Sequence, residues 1–218
     1  MAKLEMRVIP AEDLELRSEG EGGRKKVTGY GIVYNRKAQI YEDLYEVIRP
    51  GAARKILEGS PDIKCALNHD RMYLFGRTKS GTLTLEENQK GVKYSAVPPD
   101  AQWAKDAIAS IERGDIDGSS FTFAVDPQNE KITKQADGTF LREIFEFSRI
   151  GEMGPVSDPA YTSTTAEMRS VKDVYDSLPA DLRTQDNADE IAESQRTLAL
   201  RRKKLDLQAK IYKEGETI

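Results

Sequence analysis

The chain has little of several residues on which chemistry often depends. Its 218 residues include one cysteine, one histidine and one tryptophan. A single cysteine, Cys65, excludes an intramolecular disulfide, so nothing in the fold calls for an oxidising compartment. A single histidine, His69, excludes any site built on two imidazoles and routes any imidazole acid–base chemistry through one position. Cys65 and His69 lie four apart and could share a helix face toward a metal. A closed zinc site needs about four ligands, however, and no second Cys or His supplies them. No apolar run approaches the ~20 residues that span a bilayer. The start, MAKLEMRVIP, lacks the basic-then-apolar layout of a secretion signal. Charge of neither sign dominates: 33 basic and 37 acidic side chains give a net charge of -4, which offers no global attraction to nucleic acid or anionic membrane. The chain reads as soluble and cytoplasmic, with no nucleic-acid or membrane partner, and long enough to bury a core without covalent staples.

What is present is strand-rich. LEMRVIP, VTGYGIVY, YEVI, DIKCAL, TLTL, VKYSAV, SSFTFAV and the long stretch TFLREIFEFSRI carry β-branched or aromatic residues near alternation. SEGEGGRKK, with three glycines among mixed charges, predicts a loop between the first two strands. Two helices interrupt the strands. GAARKILEG follows Pro50, and AQWAKDAIASIERG places Trp103, Ala107, Ile108 and Ile111 on one face and stops at Gly114. Short strands with few helices and no regular βα alternation predict a mainly β, α+β fold arranged as a barrel or sandwich. After Tyr161 the strand pattern ends. TSTTAEMRS and LPADLRTQDNADE predict a polar connection, and the segment from there to about Tyr212, free of Pro and Gly, predicts helix. Ile191, Leu198, Leu205 and Tyr212 recur every seven residues, but Gln195, Arg202 and Ala209 at the companion positions argue against a free coiled coil. The tail is a helix docked on its own domain or one that pairs with a partner. The expected organisation is a folded domain over 1–165 and a linker with a helical tail over 166–218.

A histidine base needs something to activate. His69 follows the apolar run CAL in LNHD, where a buried strand reaches the surface, and strand ends hold side chains rigidly. Ser119 and Ser120 open the strand SSFTFAV directly after the turn GDIDG, whose glycines let backbone approach closely. Serine is therefore the candidate nucleophile. Taken alone, a serine after a glycine turn is an ordinary strand start.

The blocks GYGIVYN, YEVIRPGAARKIL, LNHDRMYLFGRTKSGTLTLEENQKGVKYSAVPPD, AKDAIASIERGDIDGSSFTFAV and RIGEMGPVSDPAYTST, in this order over about residues 27–165, resemble the prohead maturation proteases of tailed bacteriophages. The resemblance implies a serine endopeptidase with His69 of the NHD block and Ser120 of the GxSF block as catalytic pair. It further implies a fold shared with the herpesvirus assembly proteases, a closed β-barrel ringed by helices. No metal or cofactor is called for. Expected partners are a scaffold protein or the scaffolding segment of the major capsid protein as substrate, and the chain itself by autocleavage, in the host cytoplasm inside the assembling prohead. A homo-oligomer is compatible with it, as is a tail that tethers to scaffold or is removed. The herpesvirus relatives use a second histidine as third member, which this chain lacks, so a carboxylate is expected there. Glu152, in GEMGPVSDPAY, falls where phage members carry a Glu. Asp70 is the rival by adjacency, although strand neighbours point to opposite faces. Thr122 departs from a glycine common after SF in the family, which bears on the oxyanion pocket. The competing functions are a scaffold or capsid-assembly protein that keeps the fold without catalysis, and a hydrolase of another ester or amide with the same Ser–His pair.

Overall fold

The computed structural model describes residues 4–9, 17–19, 25–41 and 43–157. The chain divides into two units, Met1–Asp176 and Ser177–Ile218, and all described residues belong to the first. The expected helical tail, its heptad positions and the 165/166 boundary lie outside the described residues.

The described part is mainly β with two α-helices. In chain order the elements are β1 (Glu5–Ile9), β2 (Arg17–Glu19), β3 (Lys26–Val33), β4 (Ala38–Gln39), β5 (Leu44–Ile48), α1 (Arg54–Glu58), β6 (Lys64–Ala66), β7 (Leu74–Arg77), β8 (Leu83–Glu87), β9 (Gly91–Ala96), α2 (Gln102–Arg113), β10 (Gly118–Ala124), β11 (Glu130–Lys134), β12 (Phe140–Ile144) and β13 (Arg149–Val156). They form three sheets with orders β1-β10-β13-β6-β7, β11-β12-β5-β4 and β2-β3-β9-β8. The β13–β6 and β12–β5 pairs are parallel and the others antiparallel.

Most strands fall where alternation predicts them, and the exceptions have local reasons. TFLREIFEFSRI is not one strand but two, β12 and β13, which enter different sheets. Between them Phe147 turns into the core, where it packs edge-on against Phe121 and Phe123, and its N–H donates to the Ala52 carbonyl at 2.9 Å. β11, EKITK, is polar and half-exposed, an edge strand whose lysines resist further pairing. Helix α2 buries Ala104, Ala107, Ile108 and Ile111, spaced i, i+3, i+4, i+7. Trp103 is only partly buried and rests against Tyr73 and Phe75 at 5.3 and 5.5 Å. Gly114 ends α2 in the left-handed region at φ 85°.

The closed barrel expected from the resemblance is not found: among the described residues the three sheets stay open, with β1 and β7 as edges of the first. What joins β1 to the second sheet is a buried set of charges instead of a backbone ladder. Arg7 grips Glu46 through Nε and Nη2, at 2.7 and 2.8 Å, and its Nη2 also reaches Glu5 at 3.0 Å. Arg142 reaches Glu5 at 2.6 and 2.9 Å and Glu46 at 2.8 Å, and also pairs with Glu130. None of these five side chains is more than 9% exposed. Burial alone opposes charge on Arg142, but Glu46, Glu5 and Glu130 outweigh it and hold the guanidinium above its ordinary pKa. Burial alone would likewise raise the Glu46 carboxyl, but Arg7 and Arg142 hold it below its ordinary value.

Candidate active site

Strand β6 runs parallel to β13 and ends in the turn Leu67–His69. Asn68 and His69 are both left-handed, at φ 51° and 59°. Asparagine and histidine are both enriched among the few non-glycine residues found there, yet each still costs about 1–3 kcal/mol to hold in it. The surroundings hold the turn in place. The Asp70 N–H donates to Leu67 at 2.9 Å and the Leu67 N–H to Tyr73 at 3.0 Å, while Asn68 Oδ1 accepts the Ser157 N–H, just past β13, at 2.9 Å.

The nucleophile candidate stands on the neighbouring strand. In the β10–β13 ladder Ser120 faces Gly154 and Thr122 faces Glu152, and on the other side Ser120 faces Val8 of β1. Cross-strand partners share a face, so Ser120, Thr122 and Glu152 project from the same side of the sheet. Gly154 leaves that face bare where the end of β6 crosses, since a Cβ there would run into the backbone of Ala66. His69 therefore reaches over β13 and meets both partners. Its Nδ1 lies 2.8 Å from Glu152 Oε1 and its Nε2 lies 2.7 Å from Ser120 Oγ. A carboxylate only accepts, so the Nδ1 proton goes to Glu152 and Nε2 is left to accept the serine proton. The Arg7 carbonyl, at 3.0 Å, is a second acceptor for that hydroxyl. Arg71 Nε stands 3.9 Å from the other Glu152 oxygen.

The structure thus brings His69, Ser120 and Glu152 together. Ser119 points into the core, where its hydroxyl donates to the Gly154 carbonyl at 3.3 Å. Asp70 is not on a strand, as the adjacency argument assumed. It belongs to the turn, and its Oδ1 accepts the Met72 N–H at 2.8 Å, which leaves the ring to Glu152. Cys65 shares no helix face with His69. It is buried on β6, and burial pushes its thiol pKa up. Among the described residues no group of three His, Cys, Asp or Glu side chains is placed to hold a metal ion.

Sequence reasoning missed Arg7, Asn68 and Ser157. For Arg7 there was a signal: in EMRVI, Glu5 and Arg7 share the parity of the buried Ile9, so two charges occupy inward positions and need partners. Ser120 is 0% exposed and the His69 side chain 19%. A pocket of about 340 Å³ lies against β1, lined by residues that include Val8, Ile9, Ile40, Arg36 and Lys37; Ser120 is not among its walls.

Residues 12–177 match the family model described as caudovirus prohead serine protease. Among solved structures, the capsid assembly protease of bacteriophage T4 aligns with a TM-score of 0.44 and 12% identity, over 71% of this chain and 97% of that one. No curated protein matches the chain.

Proposed function

The chain belongs to the caudovirus prohead serine proteases, and from that premise we propose that Ser120, His69 and Glu152 act as nucleophile, general base and orienting carboxylate in peptide-bond cleavage. The observation that carries this reading is the pair of hydrogen bonds in series, Glu152 to Nδ1 at 2.8 Å and Nε2 to Ser120 at 2.7 Å. His69 Nε2 takes the proton from Ser120 Oγ as the oxygen attacks the peptide carbonyl, then delivers it to the departing amine as the C–N bond breaks. A water molecule, deprotonated by the same nitrogen, then splits the acyl-serine ester and returns the hydroxyl. Glu152 keeps the ring in the tautomer that can accept and stabilises the imidazolium that forms.

Family membership supports, as substrates to be tested, a scaffold protein or the scaffolding segment of the capsid protein, and the chain itself, cleaved within the assembling prohead. Enclosure with many copies of the substrate supplies a high effective concentration, so modest affinity suffices. Residues 166–218 would serve as a tether to scaffold or as a removable tail.

Complete enclosure of Ser120 favours a second reading, a capsid-assembly protein that retains the fold without turnover. Two measurements separate the readings: cleavage of co-expressed scaffold, and labelling of Ser120 by a fluorophosphonate followed by mass spectrometry. The protease reading expects both in the parent, neither in Ser120→Ala or His69→Ala, and a mild effect of Ser119→Ala. A folded parent that neither labels nor cleaves establishes the second reading.

A further inference from the structure

We propose that Thr122 is a positioning residue for the site: its hydroxyl holds β13 at a bulge so that Glu152 meets His69. The proposal rests on the reading of Glu152 as the orienting carboxylate.

The β10–β13 register runs without a break from Gly118↔Val156 to Thr122↔Glu152, and the next pair is Phe123↔Ile150. Gly151 is therefore an extra residue on β13. Its effect is visible in the core. Ile150 and Met153 are three apart, and strict alternation would send them to opposite faces, yet both are buried in the same hydrophobic cluster. The bulge reconciles them and leaves Glu152 on the face of Ser120, in keeping with the use of bulges to re-aim a side chain.

A bulge interrupts the ladder, and here the interruption falls on the buried N–H of Glu152. That N–H donates to Thr122 Oγ1 at 3.0 Å, so a side-chain oxygen does the work of a strand carbonyl. Thr122 is itself only 7% exposed, and its branched Cβ restricts the rotamers open to the hydroxyl. The opposite position is matched to it, because a Cβ on Gly151 would lie 2.7 Å from Thr122 Oγ1. The bond anchors the Glu152 backbone one residue from the chain's irregularity, and the Glu152 carboxylate is 2.8 Å from Nδ1. Thr122 thus supplies an acceptor that a glycine at this position would lack.

The test uses the full chain with Thr122→Val, which keeps the shape without the acceptor, Thr122→Ser, which keeps the acceptor without the methyl, and Glu152→Gln for reference. Two readouts are taken: the rate of Ser120 labelling by a fluorophosphonate, and the proton resonance of the histidine Nδ1–H, unambiguous because the chain has one histidine. Thr122→Val is expected to label about a hundredfold more slowly, the scale of a misplacement near 1 Å, and to move the Nδ1–H resonance toward its position in Glu152→Gln. Thr122→Ser should recover most of both. Parental labelling and resonance in folded Thr122→Val overturn the proposal, as does Thr122→Ser being equally impaired, which would make the methyl the relevant group. If Thr122→Val does not fold, Gly151→Ala, which crowds Oγ1, must reproduce both changes, and parental behaviour there overturns it. A parent that never labels but whose resonance responds to Thr122→Val defeats the protease reading and leaves the positioning role standing.

Discussion

Arg142→Met tests the claim that ions, not a backbone ladder, fasten β1 to the second sheet. Arg142 is 0% exposed and contacts three carboxylates, Glu5, Glu46 and Glu130. With Met in its place, Arg7 is the only cation left in the set and must compensate Glu5 and Glu46, while Glu130 loses this contact. Breaking a buried pair by removing one partner costs about 3–5 kcal/mol, because the other charge stays behind uncompensated. At roughly 2–4 °C per kcal/mol for a domain of this size, the melting temperature should fall by about 6–20 °C. Acidity should act more strongly on the parent than on the variant. In the parent, Glu46 is held below its ordinary pKa of 4.5, so its contribution is complete above that value and is lost as the pH falls through the lower folded value. In the variant Glu46 keeps Arg7 but loses the share of that depression owed to Arg142, so it has less stability to lose on acidification. The gap between parent and variant should therefore narrow only as the pH falls from neutral to about pH 3, and Glu5→Gln added to Arg142→Met should restore part of the loss. Urea unfolding at the two pH values measures all three quantities. A loss under about 1 kcal/mol, or a gap that does not change with pH, would refute the reasoning.

Three further outcomes follow from other parts of the structure. Glu152→Gln should slow acylation of Ser120 by roughly 10⁴-fold with the fold intact, and Asp70→Asn far less, since the Asp70 carboxylate caps the Met72 N–H; the rate of Ser120 labelling by a fluorophosphonate in the two variants compares them. Cys65, buried and with its thiol pKa raised, should resist a thiol reagent in the native protein and react at the rate of global unfolding in urea. Asn68→Ala, which removes the acceptor for Ser157 and leaves a left-handed residue without its local tolerance, should lower both stability and Ser120 labelling, with Asn68→Gly retaining more of each. Parallel melting and labelling assays check that order.

The sequence by itself determined the pieces whose physics is local. Alternating apolar residues in VKYSAV and SSFTFAV, the 107–108–111 part of the α2 stripe and the stop at Gly114 follow from side-chain period and backbone freedom, and they need no distant partner, whereas Ala104 and not Trp103 completes the buried stripe in the fold. Scarcity left His69 as the one imidazole available to any base chemistry, and the GSSF block pointed to the serine only through the family resemblance. The parity of EMRVI even carried a sign of buried charge. The rest was decided by contacts between residues far apart in the chain. That Glu152 and not Asp70 meets the ring depends on β6 lying parallel to β13 and on a turn in which Asp70 is already bonded, and no local pattern encodes either. The split of TFLREIFEFSRI depends on a place for Phe147 between Phe121 and Phe123. Among the described residues the sheets remain open, with β1 held at its edge by arginines that find their glutamates 39 and 137 residues away. Periodicity tells each strand which side to bury, but only the assembled molecule supplies the neighbour it is buried against.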